Sequence, residues 1–225
     1  MPPDPTILAF DTSAAHCAAA LLCDDAIIAE EIRPMQRGQA EALIPLLEEM
    51  LASTGKAWAD LDAIAVGVGP GNFTGIRISV AAARGLAMGL GIPAIGVSMF
   101  EVMAHGNMAD SLLVSLPAPR EQAYVQPFRR GRPNGTAQLI DPTGPPGDLQ
   151  MSFGVVVQGF AANQVGSAFE CSTIQAEIED LPRRLVRIAE RRLCVDRETP
   201  QSPKPLYVRP ADAAPGKPAP VLLQG

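Results

Sequence analysis

The chain has 225 residues, of which 47% are hydrophobic and only 4% aromatic, so it can form one domain or two small lobes with an aliphatic core. Its net charge of −6 provides no global field that gathers nucleic acid, so any RNA contact is expected to be local or supplied by a partner. The four cysteines are widely spaced, and the sequence shows neither a signal-peptide pattern nor an apolar run of about 18 residues, so we expect a cytoplasmic protein with reduced thiols.

The first hundred residues alternate between strand and helix patterns. TILAFDTS (6–13) and two further apolar runs, split by turn residues 23–25, predict a three-stranded meander. The elements predicted after it are a helix over 39–55, a strand over 61–69, a helix over 74–91, a strand over 92–98 and a short helix. This order resembles the first lobe of the actin-like (ribonuclease-H-like, ASKHA) two-lobe α/β fold, here 1–105.

The second half has weaker patterns. It predicts short strands over 111–117, 122–128, 136–140 and 155–162, and a helix over 181–193. We interpret 106–210 as a smaller C-terminal lobe and the Pro- and Ala-rich segment 211–225 as a mobile tail.

Metal-dependent and nucleophilic hydrolases are not expected. The two histidines, His16 and His105, lie far apart and not at metal-ligand spacing, so we expect no metal site. Ser98 lacks the second glycine of a nucleophile elbow.

One candidate site is a phosphate loop formed by the end of the first strand and the glycine-rich string GVGPGNFTGIR. Its candidate residues are Asp11, Thr12, Ser13, Gly69, Gly71 and Thr74, with the glycines permitting positive φ or close approach and Thr74 capping the helix. A phosphoryl-transfer enzyme of this architecture needs a second acid after the first strand of the other lobe, where the sequence has Pro117-Ala118-Pro119-Arg120. The alternative is that Asp11 is only a turn former.

The helix over 74–91 contains Gly85 and Gly89, each of which costs about 1 kcal/mol relative to alanine. That cost is explained if another backbone comes close, which is either the protein's own sheet or a helix of a partner. Arg77 and Arg84 would flank such a contact.

The helix over 181–193 carries a basic stripe, Arg183, Arg184, Arg187, Arg191 and Arg192. Such a stripe is typically a solvated helix face, and the alternative is an RNA contact.

Four stretches together resemble the TsaB (YeaZ) family, whose members are bacterial subunits needed to make threonylcarbamoyladenosine on tRNA. They are ILAFDTS, AEALIPLLEEML, the string GVGPGNFTGIR with its following helix and GIPAIGVS, and PLYVRP. In the second half the resemblance rests on EQAYVQPF and PLYVRP. The sequence departs from the family at Arg37-Gly38, where members often carry His, and at Pro117–Arg120, where they tend to carry Asp.

The resemblance implies a non-catalytic scaffold, required for threonylcarbamoylation of adenosine 37 in tRNA. Such a scaffold pairs with the catalytic paralogue TsaD, is joined by the ATPase TsaE, forms a homodimer in isolation, and meets tRNA through the complex. Pairing would use the helices over 39–54 and 74–90, which gives the expected interface residues Leu43, Leu47, Phe73, Arg77, Val80, Ala81, Arg84, Gly85 and Met88. No cofactor is implied beyond weak nucleotide binding, and no membrane. The alternatives are an actin-like ATP-binding enzyme with a degenerate site and a glycoprotease-like hydrolase.

Overall fold

The computed structural model describes residues 4–145, 154–195 and 201–208. Within these ranges the chain forms a five-stranded and a six-stranded sheet with helices packed on them, so the prediction of a two-lobe α/β fold is confirmed. The tail predicted to be mobile, 211–225, lies outside the described residues.

The first sheet combines the predicted meander with two parallel strands. Its strands are β1 (Ile7–Asp11), β2 (His16–Cys23), β3 (Ala26–Pro34), β4 (Ala63–Gly67) and β5 (Ala94–Val97), in the spatial order β3-β2-β1-β4-β5. β1 is antiparallel to β2 and parallel to β4, which is parallel to β5. Parallel neighbours need crossover connections, and the helices α1 (Gln39–Ser53) and α2 (Phe73–Leu90) belong to these crossovers.

Both faces of β1, β2 and β4 are buried, which explains the near-continuous apolar runs of these strands, whereas the edge strand β3 is partly exposed. Successive side chains of β1 point to opposite faces, so Leu8 and Phe10 pack with α1 and α2. Ile7 and Ala9 pack on the other face with α5 (Leu181–Glu190). Helix α5 therefore contacts the first sheet although its sequence lies in the segment predicted as the C-terminal lobe.

The second sheet forms the smaller lobe. Its strands are β6 (Leu112–Pro117), β7 (Ala123–Arg129), β8 (Arg132–Pro133), β9 (Gln138–Ile140), β10 (Val156–Gly159) and β11 (Ser172–Gln175). Their order is β11-β10-β6-β7-β8, and β9 also pairs with β7. One face shares a core with α5 and α3 (Met99–Ala104), and the other packs on α4 (Ala162–Ala168). None of the helices in the described ranges combines the length and apolarity needed to cross a bilayer.

Candidate functional site

The predicted phosphate loop is a tightly bonded junction between the β1–β2 turn and the start of α2. The hydroxyl of Thr12 donates to the carbonyl oxygen of Gly75 (2.7 Å), and the amide of Asn72 donates to the carbonyl oxygen of Ser13 (2.6 Å). The Thr12 hydroxyl, which we expected to face a phosphate, is therefore used inside the protein.

The glycines of the string serve this junction. A Cβ on Gly75 would overlap the carbonyl oxygen of Thr12 and lie 2.9 Å from its carbonyl carbon. A Cβ on Gly71 would overlap the carbonyl oxygen of Ser13 and lie 3.0 Å from its Cβ. Only Gly69 of the three adopts positive φ, at 91°. Gly71 and Gly75 are therefore needed for the close approach of two backbones.

Asp11 ends β1 and is fully buried. Its Oδ2 accepts a hydrogen bond from the amide of Ser13 at 2.6 Å and lies 3.5 Å from Nε2 of His16. Its Oδ1 has no hydrogen-bond partner among the described residues and faces Gly67, where a Cβ would lie 2.7 Å from the carboxyl carbon. The hydrogen bond from the Ser13 amide is typical of an aspartate that stabilises a turn. Sequence reasoning missed the contact of Asp11 with His16, because the pairing of β1 with β2 brings these two residues together.

The cap of α2 differs from the prediction. The side chain of Asn72 accepts a hydrogen bond from the amide of Gly75 at 2.9 Å, so Asn72 is the N-cap. Thr74, predicted as the cap, is the second residue of the helix. Asn72 directly precedes the first helical residue and has an extended backbone, so its side chain can accept a hydrogen bond from the amide of Gly75, the third residue of the helix.

An open cleft of ≈ 560 Å³ lies between the lobes beside this junction. The second lobe contributes an apolar wall, which includes Pro117, Ala118 and Pro119, where an actin-like nucleotide enzyme needs its second carboxylate. No group of three or more His, Cys, Asp or Glu in the described ranges could hold a metal ion. The residues present do not fit a metal–nucleotide complex.

The outward face of α2 is a largely apolar, exposed surface. Phe73, Arg77, Ala81, Gly85 and Met88 follow one another at helical spacing, and we call them the α2 stripe. Phe73 is 53% exposed and Met88 84%, which is unusual for side chains of this size. Arg84 is also exposed beside the stripe.

The segment 203–208 lies against the N-terminal end of the stripe. The amide of Leu206 donates to the carbonyl oxygen of Val68 at 2.8 Å. The Arg77 guanidinium donates to the Tyr207 hydroxyl at 2.8 Å and lies 3.8 Å from the centre of the Phe73 ring, and the two aromatic rings are 5.1 Å apart. The strings GVGPGNFTGIR and PLYV are therefore in contact. Sequence reasoning missed Tyr207 because 130 residues separate it from Arg77.

Three predicted interface residues belong instead to the protein's own core. Leu43, Leu47 and Val80 are buried between α1, α2 and the first sheet, with 1%, 0% and 3% of their surfaces exposed. Helical periodicity identifies an apolar face but does not say what covers it, and here the covering surface is the sheet. Of the predicted set, Phe73, Arg77, Ala81, Arg84, Gly85 and Met88 are exposed.

Comparisons with known proteins find two kinds of similar protein, both named for threonylcarbamoyladenosine in tRNA. The family model "TsaD: tRNA N6-adenosine threonylcarbamoyltransferase" matches residues 28–138. Proteins named "tRNA threonylcarbamoyladenosine biosynthesis protein TsaB" are 36% identical over 129 residues in Escherichia coli and 39% identical over 122 residues in Bacillus subtilis. Over about half of its length the chain is therefore similar to TsaB (YeaZ) proteins. The matches cover 55% and 53% of both sequences, so the chain spans about half the length of these relatives.

The similarity of fold extends beyond the half of the chain that the sequence comparisons match. The structure of YeaZ from Pseudomonas aeruginosa has a TM-score of 0.69 and covers 91% of this chain and 100% of that one, at 24% identity. The likeness at this identity concerns the fold, and it includes the second lobe, where sequence signals are weak.

The basic stripe predicted from the sequence is not simply a solvated face. Arg187 donates to a carboxylate oxygen of Asp25 at 2.6 Å, and Arg183 to one of Glu30 at 2.6 Å, both near the β2–β3 hairpin. Arg192 forms an ion pair with Glu101. These arginines therefore attach α5 to the first lobe. Sequence alone missed this role because the carboxylates lie 91 to 162 residues away.

Proposed function

We propose that this chain is a non-catalytic subunit in the synthesis of threonylcarbamoyladenosine in tRNA. It pairs through the α2 stripe with a TsaD-like catalytic paralogue, and a TsaE-like ATPase joins that pair. In isolation the same surface pairs two copies of the chain. Similarity to proteins named as TsaB over about half of the chain supports this assignment.

One observation supports the α2 stripe as the pairing surface. Beyond the helix's own backbone, no atom of the described residues lies within 4 Å of a Cβ added to Gly85 or Gly89, so packing within this part of the chain does not require glycine there. Each glycine still costs about 1 kcal/mol relative to alanine inside a helix. A partner backbone that approaches α2 explains why glycine rather than alanine occupies both positions. Met88, which lies between Gly85 and Gly89 and is exposed, supplies apolar area for the contact.

The cleft supports a non-catalytic role. The Thr12 hydroxyl and the Ser13 amide are bound within the protein, and the opposing wall presents Pro117 where a carboxylate would be needed. Isothermal titration with ATP and Mg²⁺ tests this part of the proposal. Micromolar binding that disappears in Asp11→Ala, with hydrolysis by the chain alone, would overturn it.

The pairing test uses Gly85→Leu, with Ala168→Leu as the matched control on an exposed helix position of the second lobe. We expect Gly85→Leu to retain its thermal stability, because the Cβ position is open, but to lose co-elution with the TsaD-like protein of the same organism and modification activity in the reconstituted system. Ala168→Leu should retain both. Co-elution of Gly85→Leu equal to that of the wild type would refute the surface.

A further inference from the structure

Arg77 is an exposed cation that neutral groups hold in place. Its Nε donates to the Tyr207 hydroxyl at 2.8 Å, and its guanidinium carbon lies 3.8 Å from the centre of the Phe73 ring. The rings of Phe73 and Tyr207 are in contact, with their centres 5.1 Å apart. No carboxylate of the described residues pairs with Arg77, so its position is fixed while its charge is unmatched there.

Many other arginines of the described chain are held differently. Ion pairs with carboxylates hold Arg33, Arg130, Arg183, Arg184, Arg187 and Arg192. At Arg77 a hydroxyl binds Nε and an aromatic ring covers one face of the guanidinium. The two terminal nitrogens of Arg77 form no hydrogen bond to the described residues, so their N–H donors are available to a ligand.

The surroundings of Arg77 favour a protein ligand over RNA. Phe73, Ala81 and Met88 are exposed in the same stripe and provide apolar area of the kind that protein interfaces bury. RNA binding by a chain of net charge −6 needs several cations gathered together. Helix α2 has only one other cation, Arg84, which lies seven residues further along.

We infer that Arg77 binds a carboxylate of the protein that pairs with the α2 stripe. The planar guanidinium presents parallel N–H donors that match the two oxygens of an Asp or Glu side chain. Because Tyr207 and Phe73 already hold Arg77, little side-chain freedom is lost when the ion pair forms. Tyr207 is then a positioning residue, which acts through Arg77. The inference rests on the proposed function, which makes the TsaD-like protein the partner.

The first test compares Arg77→Gln with Arg84→Gln. Both variants remove one charge from an exposed position of α2, but Arg84 forms no hydrogen bond or ion pair with the described residues. The dissociation constant of the pair with the TsaD-like protein of the same organism is measured by isothermal titration. We expect it to rise about 30-fold or more in Arg77→Gln, because a charge pair buried on binding loses one partner, and less than about fivefold in Arg84→Gln.

The second test addresses the positioning role of Tyr207. Tyr207→Phe keeps the ring but removes the hydroxyl that accepts from Arg77, so pairing should weaken about fivefold. The same substitution in the Arg77→Gln background should have no further effect, since there is no guanidinium left to orient. An equal loss in both backgrounds overturns the positioning role.

The third test identifies the ligand. Carbodiimide joins an amine to a carboxylate in contact with it, so Arg77→Lys should become cross-linked to an Asp or Glu of the TsaD-like protein, whereas Arg84→Lys should not. Peptide mapping by mass spectrometry locates the cross-link. Equal cross-linking of both variants overturns the inference. It is also overturned if Arg77→Gln binds transcribed tRNA more weakly and pairs normally, which identifies phosphate as the ligand.

The Gly85→Leu variant separates this inference from the proposed function. If Gly85→Leu pairs as the wild type does, the α2 stripe is not the pairing surface and the proposed surface fails. If Gly85→Leu does not pair while Arg77→Gln pairs as the wild type does, the surface is supported and the carboxylate contact alone is refuted.

Discussion

Gly75→Ala tests whether the glycine string is required for packing inside the protein. The substitution lies inside α2, where alanine is normally better than glycine by about 1 kcal/mol. Here the new Cβ would overlap the backbone of Thr12, and its nearest neighbours cannot move aside as a flexible side chain would. The β1–β2 turn must shift, which strains the hydrogen bond of the Thr12 hydroxyl to Gly75.

The expected magnitude follows from these two effects. Overpacking against backbone costs about 3 kcal/mol, the upper part of the usual range, and the helix gains about 1 kcal/mol, so Gly75→Ala destabilises by about 2 kcal/mol. For a chain of this length that lowers the midpoint of thermal unfolding by about 4–8 °C. Circular dichroism at 222 nm, which reports helix content, measures the midpoint on purified protein.

Gly85→Ala is the matched control, because it makes the same change in the same helix at a position with nothing within 4 Å. It should stabilise by about 1 kcal/mol and raise the midpoint by about 2–4 °C. If Gly75→Ala is as stable as the wild type or more stable, the string is not held by this contact. The role assigned to Gly75, which is to admit the backbone of Thr12, would then be wrong.

Two further predictions concern charge. Arg187→Met keeps the side-chain length but removes the bonds to Asp25 and to Glu190. Because Asp25 is largely exposed, we expect a loss of about 0.5–1 kcal/mol in urea unfolding. An unchanged midpoint would mean that these bonds contribute nothing to stability. Partial burial, and then the charge of Arg184, lower the pKa of His105 in the folded chain from its ordinary value of 6.5. The unfolded chain therefore takes up a proton at His105 more readily than the folded chain, and the free energy of unfolding decreases as the pH is lowered through about 6.5. The wild type should therefore lose more stability than His105→Gln between about pH 7 and 5 in thermal unfolding, and a pH-independent difference would contradict this.

Sequence patterns predict the first lobe better than the second for a physical reason. In the first lobe, α1 and α2 are long enough to show a helical period, and the buried strands β1, β2 and β4 appear as apolar runs. Turn residues or Gly91 mark several of the ends of these elements. β8 has two residues, β11 has four with a largely exposed pattern, and α4 has seven, so none carries a readable hydrophobic period. They are held by pairing and packing with residues far away in the chain, which a local pattern does not contain.

The candidate sites show the same limit. Six of the nine predicted interface residues are exposed, on a helix whose glycines and large Met88 are locally unusual in the sequence. The three buried residues could not be separated from them, because Leu43 and Val80 satisfy the same helical spacing while facing the sheet. The roles of Tyr207 and Arg187 depend on contacts across more than a hundred residues.

The glycines of α2 and its preceding loop therefore fall into two physical classes. At Gly71 and Gly75 the missing side chain admits the protein's own β1–β2 turn, and alanine would collide with backbone. At Gly85 and Gly89 no other part of the described chain occupies the place of the missing side chain, and alanine would be the more stable residue. A phosphate loop explains neither class, because protein fills the first and the second lies about three to four turns along the helix. Internal packing explains the first class, and an approaching partner, as proposed, explains the second.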